Sequence, residues 1–162
     1  MNLVDSNDPI LKQPCEKFNF LAPQIDLREF ADDLIKTMLS SNGIGLAANQ
    51  VGVPLQIFAL ASEPPILVIN PRILEYSKET IELEEGCLSF PGQLVKVKRP
   101  IWIRARFNLV GGNAQTFRFE GMTARVFQHE YDHIMEGKTM YDRLSKLKRD
   151  MYLKKKMKKV KL

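Results

Sequence analysis

Histidine is almost missing from these 162 residues; there are two, His129 and His133. Cysteine is as scarce, at Cys15 and Cys87. Two thiols make a poor disulfide framework for a chain of this size, and a reducing compartment would keep both free, so their interest lies in reactivity or metal binding. No apolar run reaches the length of a membrane-spanning helix, and the opening "MNLVDSNDPILKQP" has neither the basic end nor the apolar stretch of a secretory signal. Internal repeats and low-complexity linkers are lacking too. These absences predict a soluble, intracellular protein with no membrane contact. A chain that is 44% hydrophobic and 27% charged has the proportions of one globular core.

The net charge of +5 is unevenly spread. Nine Lys or Arg and one acid, Asp150, fall in residues 146 to 162, which leaves a mildly acidic body. This predicts a catalytic or binding domain over 1–145 and a basic C-terminal tail over 146–162, either solvated or anchored to a polyanion. Leu144, Leu147, Met151 and Met157 recur at near-helical spacing, so the tail reads as a helix with an apolar stripe.

In "DLREFADDLIKTMLS" the apolar residues Leu27, Phe30, Ala31, Leu34, Ile35 and Met38 follow helical periodicity, with Asp26 as N-cap and Glu29 at the capping-box position. "LQIFAL" and "ILVIN" are short apolar runs bounded by Pro and Gly, and "LVKVK", "IWIRARF" and "QTFRF" have strand character. "NLVGGNAQ" supplies a turn between the last two. Residues 122 to 136 read as a second helix, followed by Gly137 at its C-terminal cap. The order predicts an α+β fold, with antiparallel sheets around one functional helix and another helix towards the N-terminus.

Both histidines lie in "HEYDH" on that second helix. Four residues apart, they project from one face as two ligands of one metal ion must, and Glu130 beside them can take a proton from a bound water. So short a pattern also arises by chance on a surface helix. A third ligand would come from Cys15, Cys87 or a carboxylate. Cys87 has the better setting: in "EEGCLSFPG", Gly86 permits a tight approach and Pro91 with Gly92 closes a turn. Cys15, in "KQPCEKF", reads as a buried or idle thiol. One thiolate with two imidazoles leaves a fourth position open, which means catalysis rather than a structural clamp.

The stretch "GIGLAANQVG" lacks the Lys-Ser/Thr of a phosphate loop and the third glycine of a dinucleotide turn. It reads either as a substrate cradle, in which Gly43 and Gly45 expose backbone and Gln50 offers an amide donor to a carbonyl oxygen, or as a plain helix-to-strand turn.

Together "GIGLAANQ", "EGCLS" and "QHEYDH", in this order, resemble the three signature motifs of the peptide deformylases, and the resemblance extends to "DPILKQP" and most of residues 8 to 145. The short spacings between motifs resemble the compact form of that family. The resemblance implies metal ligands Cys87, His129 and His133, with Glu130 as catalytic acid/base. It also implies that Gln50 and the backbone N–H of Leu88 polarise the formyl oxygen, and that Ile44 and Gly45 form the strip along which the peptide lies. The substrate so implied is the N-formyl-methionyl end of a nascent polypeptide. The metal implied is usually Fe(II), with Zn(II), Ni(II) or Co(II) as substitutes.

Helical spacing then places Met122 and Val126 near the site as an apolar slot for methionine, with Ile44 facing them. Arg125 also points there, either lending its stem to the slot while its head stays wet or meets a substrate carbonyl, or forming a surface salt bridge. Asp132 orients a neighbour or is a solvated acid, and Arg99 is placed to pair with Glu85. In relatives a C-terminal helix docks on the ribosome, and the basic tail would suit rRNA phosphates. The cytoplasm is the setting this implies, with an organelle or an infected host cell as the other settings. The competing readings are a zincin-type endopeptidase sharing H-E-x-x-H and a non-enzymatic RNA-binding protein resting on the tail.

Overall fold

A computed structural model describes residues 1–160; Lys161 and Leu162, counted above in the basic tail, lie outside the described residues. The first helix, α1, spans Leu27–Ser40, and the Asp26 carboxylate accepts the N–H groups of Arg28 and Glu29 at its start. Such a cap is worth about 1 kcal/mol. Its expected stripe is the buried one: Phe30, Ala31, Leu34 and Met38 are all inside.

Five strands form one antiparallel sheet in the order β1 (Gly45–Ala47), β2 (Ile57–Leu60), β3 (Ile66–Tyr76), β6 (Trp102–Asn108) and β7 (Ala114–Glu120). Two more, β4 (Thr80–Cys87) and β5 (Phe90–Pro100), pair only with each other. The expected strands are present. Neither β1 nor β4 was anticipated. In β4 the residues sharing one face are Ile81, Leu83 and Glu85, and the innermost of them is an acid, so its apolar alternation stops where burial begins.

The β2 sequence is a continuous apolar run because both its faces are covered. Ile57 and Ala59 pack with Leu34 and Met38 of α1, whereas Phe58 and Leu60 pack with Val126, Phe127 and Ile134 of the second helix. That helix, α2, spans Gly121–Met135 and lies against β1, β2, β6 and β7. The Phe127 ring meets Phe58 edge-on at 5.0 Å, an arrangement that favours the aromatic quadrupoles. Just beyond α2, Gly137 adopts φ +58, and a Cβ there would lie 2.4 Å from the Gln13 backbone nitrogen. Only glycine turns the chain at that point.

The third helix, α3, spans Lys146–Val160. Of its expected apolar stripe, Leu144, just before the helix, is buried, whereas Leu147, Met151 and Met157 are exposed. The helix touches the β4–β5 hairpin instead through Tyr152, whose hydroxyl accepts from the Lys96 N–H at 3.3 Å, and through a Lys148–Glu82 ion pair.

Candidate metal centre

Three ligand atoms, one each from Cys87, His129 and His133, lie within 4.8 Å of one another. Two elements bring them together: Cys87 ends β4, and the histidines sit one turn apart on α2. Cys87 Sγ is 3.3 Å from His133 Nε2. His129 turns its Nδ1 to Glu85 Oε2 at 2.9 Å, which leaves Nε2 for the centre. Cys15 stands apart in the core behind α2, where burial pushes its thiol up to about 11. It is the inert thiol of the two.

The chemistry of this donor set fits one divalent ion. Thiolate and imidazole suit Fe(II), Zn(II) and their neighbours, and among the described residues no fourth protein ligand joins the cluster. Burial drives His133 well below its ordinary pKa, so its ring is neutral, as ligation requires. His129 is held well above the ordinary value: burial opposes the charged ring, but the contacts with Cys87 and Glu85 outweigh it.

Glu130 is fully enclosed beside the histidines, and its Oε2 has no hydrogen-bond partner. Burial is the main cause that lifts its carboxyl to about 7. Gly45 is what makes room for it: a Cβ there would come within 2.4 Å of Glu130 Oε1 and 2.6 Å of Val126 Cγ1. Gln50 lies in the short turn after β1; its Oε1 accepts the Ala47 N–H at 2.8 Å, which aims its amide at Ser89 Oγ (3.0 Å) and Cys87 Sγ (3.5 Å). Leu88 follows Cys87 in the turn between β4 and β5 and lines the same cavity.

That cavity measures about 660 Å³ and is mostly apolar. Ile44 and Met122 stand at its rim, each more than half exposed, while Val126 is buried in its wall. Of residues 43 to 52, Gly43, Ile44, Gly45 and Gln50 line the cavity, and the stretch carries the chain from α1 through β1 into a tight turn.

Arg125 lines the cavity and forms an ion pair, but the placement of its head differs from both expectations. Its guanidinium is neither wet nor on the surface; it is buried, and donates to Glu85 Oε1 at 2.6 Å, Val97 O at 2.9 Å and Ile81 O at 2.7 Å. The acids around it exert the pull: Glu85 is buried yet held down at about 2, because hydrogen bonds from His129 and Arg99 overcome the desolvation. Asp132 is not solvated either. It accepts from Arg99 at 2.8 Å and pairs with Arg143 through both carboxylate oxygens. Arg99 also holds Glu85, through Nε at 2.6 Å. Sequence reasoning missed Ser89, Asn49 and Arg143. Asn49 donates to the His133 carbonyl at 2.9 Å; Ser89 and Asn49 had a signal, their places within "EGCLS" and "GIGLAANQ".

Comparison with known proteins bears on this centre. A family model described as polypeptide deformylase matches residues 1–150. The chain is similar to the peptide deformylase of Rickettsia akari, 41% identical over 94% of this chain and 92% of that protein. It is similar also to that of Mesorhizobium japonicum, 43% identical over 94% and 89% respectively. Among solved structures, a peptide deformylase from Synechococcus elongatus in complex with actinonin superimposes with a TM-score of 0.87 at 34% identity, covering 96% of this chain and 85% of that one. A class I type b peptide deformylase from Acinetobacter baumannii, bound to Met-Ala-Ser, gives 0.83 at 30% identity over 89% and 98%.

Proposed function

The chain belongs to the polypeptide deformylase family, and from that premise we propose a role for each residue of the centre. The activity is hydrolysis of the N-formyl group from nascent polypeptides, with release of formate. In our reading Cys87, His129 and His133 hold the ion, Glu130 carries the proton, and Gln50 with the Leu88 N–H receives the developing negative charge. Fe(II) is the native ion, with Zn(II), Ni(II) or Co(II) as substitutes. The observation that carries this is the convergence of one thiol, two imidazoles and an unpartnered carboxyl on a single cavity.

A divalent ion held by Cys87, His129 and His133 would supply Lewis acidity, lowering the cost of taking a proton from the attacking water. Glu130 Oε2 is the acceptor for that proton. Its enclosed Oε2, with no hydrogen-bond partner among the described residues, is placed to receive the proton and to return it to the departing amine. Gln50 Nε2 is already aimed into the site by the Ala47 N–H, and each well-placed donor to the oxyanion is worth about 3 kcal/mol. The peptide itself lies along β1. That strand is at an edge of its sheet, so the backbone at Ile44 and Gly45 can pair with an extended substrate, while Met122, Val126 and the Ile44 side chain accept the methionine. Arg125 serves at the wall of that cavity, not as a contact to the substrate. The tripeptide bound to the Acinetobacter relative has the sequence such a product would have.

We assign residues 1–145 to the catalytic unit and 146–162 to a cationic appendage that associates with ribosomal RNA, and we place the enzyme in the cytoplasm. Cosedimentation with ribosomes at low salt should fall when 146–162 are deleted; unchanged cosedimentation rejects the appendage's role. The test of the chemistry is formate release from formyl-Met-Ala-Ser by anaerobically prepared protein loaded with Fe(II), Ni(II) or Zn(II). Release that depends on metal and is abolished in Glu130→Gln and Cys87→Ala is expected. No release with any bound ion would overturn the assignment.

A further inference from the structure

We propose that Arg125 is a positioning residue for the metal centre: it fastens the β4–β5 hairpin to α2 and, through Glu85, fixes the His129 ring. This rests on the ligand assignment above. The three ligands sit on two elements that share no β-ladder, because the hairpin pairs with no other strand of the fold. What fixes Cys87 against the imidazoles must therefore come from side chains.

Arg125 lies one turn before His129 on the same face of α2. From there its one guanidinium reaches three acceptors on the hairpin: the Ile81 carbonyl of β4 at 2.7 Å, the Val97 carbonyl of β5 at 2.9 Å, and Glu85 Oε1 at 2.6 Å. The other oxygen of that carboxylate, Oε2, holds His129 Nδ1 at 2.9 Å. Arg99 completes the clasp from the opposite side, running from β5 to Glu85 and to Asp132 of α2. The two arginines are not equivalent, because Arg125 alone bonds the backbone of both hairpin strands from the helix that bears the histidines. Loss of its fork would free the hairpin to shift and the Glu85 carboxylate to rotate.

A buried guanidinium is a costly way to fill space, and an apolar side chain of similar length would pack there at no loss of core burial. Its directional bonds are what an apolar residue cannot supply.

The test uses Co(II)-loaded full-length protein, with release of the ion to excess EDTA followed by loss of the visible absorption. Arg125→Met keeps the length and removes the fork. Its Co(II) release should be 10- to 100-fold faster than wild type, with an altered band shape in the loaded state. Combining it with Glu85→Gln should accelerate release by less than the product of the two single effects, because part of the action of Arg125 runs through Glu85. Wild-type release from Arg125→Met, or effects that multiply in the double variant, would overturn the proposal. Should Arg125→Met fail to fold, Arg125→Lys decides. A single ammonium cannot span the three acceptors, so faster release is still expected, and wild-type release again overturns it. A wild-type protein that takes up no Co(II) would instead reject the ligand assignment itself and the proposal with it.

Discussion

Single residues carry this site at close tolerance. Gly45→Ala adds one methyl group that would fall 2.4 Å from Glu130 Oε1 and 2.6 Å from Val126 Cγ1, so the catalytic carboxylate must shift to admit it. A displacement near 1 Å of an acid/base costs about 100-fold in rate. We expect kcat on formyl-Met-Ala-Ser to drop by about that factor while one metal ion per chain is retained, as elemental analysis would show; full activity would contradict the packing argument. Cys15 supplies the opposite case, a residue whose chemistry is suppressed. Its thiol is raised from 9.0 to about 11 by burial, so the fold favours the neutral form. Stability from this source is whole below pH 9 and fades as pH rises through 11, by up to roughly 2 to 3 kcal/mol. Thermal melts of wild type and Cys15→Ala between pH 8 and 11 should converge as pH rises, the wild type losing more.

At the scale of elements, the sequence made legible what obeys periodicity. The α1 stripe and its Asp26 cap follow from spacing alone, and Asp26→Ala should lower stability by about 1 kcal/mol, or 2 to 4 °C in Tm, with kcat unchanged. An unchanged melting temperature would mean that packing of Phe30 and Leu34, not the cap, holds the helix start. By contrast β4 hid itself, because its inward positions hold Glu85 and Cys87 where a strand reading looks for apolar residues. The same holds for Arg99 on β5 and Arg125 and Asp132 on α2, each a charge at a position that faces inwards. The ligands themselves were legible because H-E-x-x-H spacing is local geometry. Of their supports the Arg99–Glu85 pair was expected, but the contacts of Glu85 with Arg125 and His129, 40 and 44 residues away in sequence, leave no local signature.

For the molecule as a whole, the centre is a seam. A five-stranded sheet with α2 stands on one side and the β4–β5 hairpin on the other, joined by the buried ion pairs of Arg99 with Asp132 and Arg125 with Glu85 and by the Gln50 amide's bonds to Cys87 and Ser89. An ion ligated from both sides is a cross-link that exists only in the native state, so it stabilises folding by mass action. At a free metal concentration 1,000 times the Kd that amounts to about 4 kcal/mol, on the order of 10 °C in Tm for a chain of this size. Differential scanning calorimetry of Ni(II)-loaded and chelator-stripped protein should show that gap. Cys87→Ala should lose most of it, because its remaining ligands both lie on α2 and no longer bridge the seam. A gap that persists in Cys87→Ala would place the ion's stabilising action within α2 alone, and the hairpin would then owe its position to the arginine clasp without help from the metal.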